Sequence, residues 1–78
     1  MNGIKKRRSR RYAVAMSLGC DLADVEEYQP GQTKVPVFLA GDRYIVALRD
    51  GELVPPDFGE WVARYPEEGY SLWITTGK

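Results

Sequence analysis

One stretch of sequence decides the fold: residues 34–49, which read KVPVFLAGDRYIVALR. It is rich in Val, Ile, Phe and Tyr, as β-strands are, and Gly41-Asp42 divides it like a two-residue hairpin turn. We therefore expect strands over Lys34–Ala40 and Arg43–Arg49. Pro36 has no N–H to donate, which favours an edge position for the first strand. Both faces carry apolar side chains, so one should pack on a helix and the other needs cover from the chain or a partner.

Two short helices are predicted before this hairpin. The first begins at the candidate N-cap Ser9 and ends at Gly19, and its apolar residues recur at helical spacing. The second begins at the candidate N-cap Asp21 and ends before Pro30-Gly31. Its apolar positions are Leu22, Val25 and Tyr28.

These two segments resemble a helix-turn-helix unit, in which Ala15, Gly19 and Val25 would occupy the small, turn-glycine and apolar positions. The resemblance implies a second helix that enters the major groove of DNA and a following hairpin that acts as a wing. That second helix would carry four carboxylates and no base, and phosphates repel carboxylates. We therefore interpret the segment as two packed helices joined by a glycine turn. The four acids are Asp21, Asp24, Glu26 and Glu27.

A third helix and a last strand are predicted after the hairpin. Asp57 and Glu60 form a variant capping box, and Pro66 would end the helix. The helical stripe consists of Phe58, Trp61, Val62 and Tyr65, of which we expect Phe58 and Trp61 in the core. Residues 70–76 then alternate as a strand, with Tyr70, Leu72 and Ile74 on one side and Trp73 on the other.

The sequence therefore predicts a small single α+β domain over residues 9–78. Its antiparallel sheet of three or four strands would pack with two or three short helices. Residues 1–8 are too polar and basic to pack, and we interpret them as a flexible basic N-terminal arm.

The formal net charge of zero is the sum of two opposite parts. Residues 1–12 contain six basic groups and no acid, whereas residues 13–78 contain five basic and eleven acidic groups. A basic segment of this kind suits the phosphate backbone of a nucleic acid, without reading its sequence. An acidic protein surface, an anionic lipid or a purely solubilising role are the alternatives. The candidate nucleic-acid-binding residues are Lys5, Lys6, Arg7, Arg8, Arg10 and Arg11.

A candidate protein interface lies near the C-terminus. Trp73 is on the strand face opposite Tyr70, and large aromatic side chains anchor many protein interfaces. Glu67 and Glu68 form an acidic loop just before this strand. We therefore assign Trp73, Glu67, Glu68 and Tyr70 to contacts with a protein partner.

Catalysis is not expected. The chain has no histidine and a single cysteine, Cys20, so it lacks a Ser-His or Cys-His pair and a zinc-ligand set. We predict no catalytic residue, no metal and no cofactor, and no apolar run is long enough for a membrane span. A single cysteine cannot form an internal disulfide, which fits the reducing environment of the cytoplasm. Arg10-Arg11 and the apolar residues that follow resemble the start of a twin-arginine export signal, so export is the alternative to the cytoplasm.

Two functional hypotheses follow from this sequence. The first is a non-enzymatic regulator whose basic arm contacts nucleic-acid backbone while its acidic, aromatic body contacts a protein. The alternative is a protein-binding modulator or inhibitor, of the kind found on phages and mobile elements, that acts through the body alone. A subunit docked permanently in an assembly is a third option, and the sequence leaves the oligomeric state open.

Overall fold

The computed structural model describes residues 9–28, 33–56, 58–66 and 69–76. In these ranges one α-helix precedes a five-stranded antiparallel sheet with the order β1-β2-β3-β5-β4. The elements are α1 (Arg10–Leu18), a single 3₁₀ turn (Leu22–Asp24), β1 (Glu26–Tyr28), β2 (Val37–Ala40), β3 (Arg43–Leu48), β4 (Trp61–Arg64) and β5 (Ser71–Thr75).

The predicted hairpin is present as β2 and β3, which pair with Ala40 opposite Arg43 across the Gly41-Asp42 turn. The expected edge position of β2 is wrong, because β1 pairs with its other side, with Tyr28 opposite Val37. Pro36 lies one residue before β2, so its missing N–H does not interrupt the ladder.

The second predicted helix is wrong. Leu22–Asp24 form a single 3₁₀ turn, Val25 has extended backbone angles (φ −110°, ψ 116°), and the chain continues as β1. The segment buries Val25 completely while its predicted partners Leu22 and Tyr28 are exposed. One buried side chain cannot stabilise a short helix, whereas pairing with β2 supplies partners for the backbone of both strands.

The third predicted helix is also wrong, because Trp61–Arg64 form β4 and pair with β5. Gly59 has a left-handed φ of 85° and Pro66 follows two residues after the strand, which leaves too few residues for a stable helix. Trp and Val favour strands, and β5 offers an unpaired edge at this position. Phe58 and Trp61 are half-buried rather than core residues of a helix.

Helix α1 is capped at both ends and covers one face of the sheet, here called the helix face. The Ser9 hydroxyl accepts a hydrogen bond from the Tyr12 amide, and Gly19 ends the helix with φ 72°. The amides of Gly19 and Cys20 close a Schellman motif on the helix carbonyls. Small residues let the helix approach the strands closely, and the cluster beneath comprises Ala13, Val14, Ala15, Val25, Phe38, Ile45, Ala47, Tyr70, Leu72 and Ile74.

The opposite face, here called the second face, is covered by the chain itself. Val35, Val37, Val46 and Leu48 are buried there, and Val54 and Phe58 from the connection between β3 and β4 pack on them. The loop between β3 and β4 therefore shields part of the apolar surface of the second face from solvent.

The fold is α+β with an antiparallel sheet, as predicted, but the described residues form one α-helix instead of two or three and five strands instead of three or four. The last strand is confirmed, with Leu72 and Ile74 buried on the helix face and Trp73 on the second face. No helix in the described ranges is long and apolar enough to cross a bilayer.

Candidate functional site

Arg10 and Glu52 join the helix to the turn that follows β3. The two Nη atoms of Arg10 donate to the two carboxylate oxygens of Glu52 at 2.8 and 2.9 Å. Nη1 of Arg10 also donates to the carbonyl of Ala47 at 2.6 Å. The side chains are 19 % and 29 % exposed, so water weakens the pair only in part. We call this group the Arg10–Glu52 clamp.

Glu52 also closes its own turn. Its Oε1 accepts from the Arg49 amide at 2.7 Å, and its amide donates to the Arg49 carbonyl at 3.0 Å. The Arg10 guanidinium and the Arg49 amide hold the pKa of Glu52 at about 2, below its ordinary value of 4.5. The same hydrogen bond raises the pKa of Arg10. The clamp is therefore fully charged at neutral pH.

Tyr70 lies between two arginines beside the clamp. It is 4 % exposed, and the guanidinium carbons of Arg10 and Arg49 lie 5.7 and 5.5 Å from its ring centroid. Nη2 of Arg49 donates to the Tyr70 hydroxyl at 3.2 Å. The start of β5 is thus tied to α1 and to the end of β3.

A groove of about 670 Å³ opens next to the clamp. Segment 33–35 forms one side and loop 51–58 forms the other, in which Gly51 has φ 90°. Lys34 is the exposed cation of the groove, and its apolar lining is Val35, Leu53, Val54, Pro55, Pro56 and Phe58. Leu53 is 82 % exposed, so the groove presents an apolar side chain directly to solvent.

A row of aromatic rings crosses the second face from β1 to β4, and we call it the aromatic row. Tyr28 and Tyr44 have ring centroids 5.3 Å apart, Tyr44 and Phe58 4.9 Å apart, and Phe58 and Trp61 6.0 Å apart with perpendicular planes. Phe58 belongs both to this row and to the groove.

Two buried polar atoms on this side of the molecule have no hydrogen-bond partner among the described residues. They are the Thr33 hydroxyl oxygen in the groove and the Trp61 indole nitrogen at the end of the aromatic row. A buried hydroxyl without a partner carries a desolvation cost of about 1 to 3 kcal/mol, which a ligand atom can remove. This makes the groove the best candidate for a binding site.

The predicted basic residues fall into two groups. Lys5, Lys6, Arg7 and Arg8 lie outside the described residues. Arg10 belongs to the clamp, and Arg11 donates from Nε to the Val25 carbonyl and from Nη2 to the Leu22 carbonyl, both at 2.9 Å. The guanidinium groups of Arg10 and Arg11 are therefore both hydrogen-bonded to the body of the domain.

The predicted interface residues do not form one exposed surface. Tyr70 is buried on the helix face, and Trp73 is half-buried and packs on the cluster of the second face. Glu67 and Glu68 lie outside the described residues, and their interface role stays a prediction.

The sequence reasoning missed Glu52, Thr33 and the groove. The Asp50-Gly51 turn signal gave the position of the loop, but nothing local connects Glu52 to Arg10, which is 42 residues away. Within the described ranges no three His, Cys, Asp or Glu side chains converge as a metal site.

Comparison of the chain with protein-family models, with curated proteins and with solved structures found no match.

The clamp makes stability depend on acid pH. Because folding lowers the pKa of Glu52, its contribution is fully present above about pH 4.5 and is lost as the pH falls toward 2. We expect Glu52→Gln to lower the free energy of unfolding at neutral pH by about 1 to 2 kcal/mol, a modest value because the pair is partly exposed. Urea unfolding of both proteins from pH 7 to pH 2 measures this difference, which should shrink toward acid pH.

Asp24→Asn is the matched control, because Asp24 is an exposed carboxylate that lies outside the clamp. It should change stability by less than about 0.5 kcal/mol at every pH. Equal effects of the two substitutions, or a Glu52 effect that is constant with pH, would contradict this role of the clamp.

Proposed function

We propose that this protein is a non-enzymatic binding protein that takes an extended, mainly apolar segment of a partner protein into the groove. The observation that carries the proposal is the Thr33 hydroxyl, which is buried beside the apolar side chains of the groove and has no hydrogen-bond partner among the described residues. Apolar walls with a few placed polar atoms are the usual composition of a binding site.

The form of the groove favours a peptide over a small molecule. Its walls are two chain segments that leave it open to solvent rather than closed as a cavity, and Leu53 adds apolar surface at 82 % exposure. A peptide backbone offers a carbonyl for the Thr33 hydroxyl. Lys34 forms no ion pair with another described residue, so it is available for a carboxylate of the peptide.

The clamp supports this function by holding one wall. Glu52 precedes Leu53 and Val54 directly, and Arg10 anchors it to the helix. The wall is therefore held in the free protein, and preorganisation lowers the entropy that binding costs. Val54 and Phe58 pack on the second face and fix the rest of the wall.

Contact with nucleic-acid backbone is the second candidate function, and the basic N-terminal sequence favours it. Lys5, Lys6, Arg7 and Arg8 precede α1 without an intervening acid. Arg10 and Arg11 are bound to the body, so four cations rather than six form the proposed contact. As the single cysteine suggests, we place both activities in the cytoplasm.

The groove can be tested with peptides selected from an unbiased display library on the intact protein. We expect selected peptides to be rich in apolar residues and to lose affinity about tenfold or more on Leu53→Glu, which places a charge on an apolar contact. Thr33→Val keeps the shape of the side chain but removes the hydroxyl, and should weaken binding about threefold to tenfold. Isothermal titration calorimetry measures both changes.

Met16→Glu is the matched control, since Met16 is an exposed apolar residue of α1 and does not line the groove. It should leave peptide affinity unchanged. If no selected peptide discriminates Leu53→Glu from Met16→Glu, the groove is not the binding site.

The nucleic-acid contact is tested by the dependence of affinity on salt. Replacing Lys5, Lys6, Arg7 and Arg8 together by Gln should weaken binding to random-sequence duplex DNA and reduce the slope of log K against log salt by up to about 3.6, or about 0.9 for each lost phosphate contact. Fluorescence anisotropy over a salt series measures the slope. Arg43→Gln, which removes an exposed cation elsewhere in the chain, is the control for charge alone. An equal effect for each charge removed would argue against a contact localised at the N-terminus.

A further inference from the structure

β4 is an edge strand of the described sheet with half of its main-chain groups directed outward. The Thr76 amide donates to the Glu60 carbonyl at 2.8 Å, which makes Glu60 and Thr76 a hydrogen-bonded pair in register with the β4–β5 ladder. Such pairs alternate along an antiparallel ladder, so the amides and carbonyls of Val62 and Arg64 also point to β5. Those of Trp61 and Ala63 therefore point away from the sheet.

The side chains of this edge are complementary to a second copy of themselves. Residues 60–64 read EWVAR, with opposite charges at equal distances on either side of Val62. Glu60, Val62 and Arg64 share the helix face, because Val62 lies opposite Ile74 and Arg64 opposite Leu72. Trp61 and Ala63 alternate with them on the second face.

We propose that β4 pairs antiparallel with β4 of a second copy of this chain, with Val62 at the two-fold axis. Glu60 then lies opposite Arg64 of the partner subunit, and this ion pair occurs twice. The large Trp61 lies opposite the small Ala63 of the partner subunit, and these two residues exchange main-chain hydrogen bonds. Val62, which is 45 % exposed in one chain, is covered by the partner's Val62. The result is a continuous ten-stranded sheet with closed two-fold symmetry.

The neighbouring registers lack this match. A shift of two residues in one direction places Trp61 opposite the partner's Trp61 and Glu60 opposite the partner's Val62. The opposite shift places Val62 opposite the partner's Arg64. A shift of one residue would set outward amides and carbonyls against groups already bonded to β5. Charge and hydrogen bonding therefore select one register.

The other edge of the sheet is protected against the same pairing. β1 has three residues, and two of them are the exposed acids Glu26 and Glu27. Antiparallel pairing of β1 with itself about Glu27 would bring two carboxylates together, and charged, short edge strands prevent association. Neither Glu60 nor Arg64 forms an ion pair with another described residue, so both are available to the partner subunit.

Charge reversal tests this pairing on the intact protein. Glu60→Lys or Arg64→Glu alone creates two like-charged pairs and should raise the dimer dissociation constant about tenfold or more. The double variant Glu60→Lys/Arg64→Glu restores two opposite-charge pairs and should return the constant to within about threefold of the original. Arg43→Glu, an exposed arginine outside β4, is the control and should leave the constant unchanged. Sedimentation equilibrium over a concentration series measures the constants, and circular dichroism confirms that each variant is folded.

Amide hydrogen exchange tests the geometry separately. On dimerisation the Trp61 and Ala63 amides should become protected, while those of Val62 and Arg64 are already protected in the monomer by β5. An unmodified protein that stays monomeric throughout the series overturns the proposal. So does a dimer that forms without protection of Trp61 and Ala63, or single reversals that the double variant does not rescue.

Discussion

The bidentate contact between Arg10 and Glu52 is the interaction on which the arrangement of the domain depends. The Arg10 guanidinium binds the carboxylate of Glu52 and the carbonyl of Ala47, and it lies against the ring of Tyr70. One side chain of α1 thus fixes the end of β3, the turn after it and the start of β5. Helix α1 also contributes Ala13, Val14 and Ala15 to the apolar cluster on the sheet, and apolar contacts of this kind restrict sliding less than a directional ion pair does.

The two faces of the sheet are covered in different ways, and this difference determines where binding is expected. Beneath α1 the cluster is closed by buried aliphatic and aromatic side chains, among them Val14, Phe38 and Leu72. On the second face a loop provides the cover through Val54 and Phe58. It leaves a groove, in which the Thr33 hydroxyl has no partner within the part of the chain that the structure describes. Because the clamp holds Glu52 near the start of this loop, the same ion pair stabilises the fold and shapes the groove.

Local sequence signals predicted the elements whose own residues fit only one type of secondary structure. A turn dipeptide between runs rich in β-branched residues predicted β2 and β3, and alternation predicted β5. The sequences of the two edge strands predict helices because their few residues fit both periods. Trp61 and Val62 belong to a helical stripe with Phe58 and Tyr65, and also to an alternating strand. Pairing with β5 selects the strand over the helix for this segment. The pattern of the segment itself does not show that β5 will lie beside it. The same reason hides the clamp, whose two residues are 42 positions apart.

The most direct test that the Arg10–Glu52 ion pair stabilises the domain is a double-mutant cycle on the clamp. The free energy of unfolding is measured at neutral pH for the original protein, Arg10→Met, Glu52→Gln and the double variant. We predict a coupling energy of about 1 to 2 kcal/mol between the two residues. The double variant should then lose less free energy of unfolding than the two single variants lose together. Additive effects, with a coupling energy near zero, would contradict it.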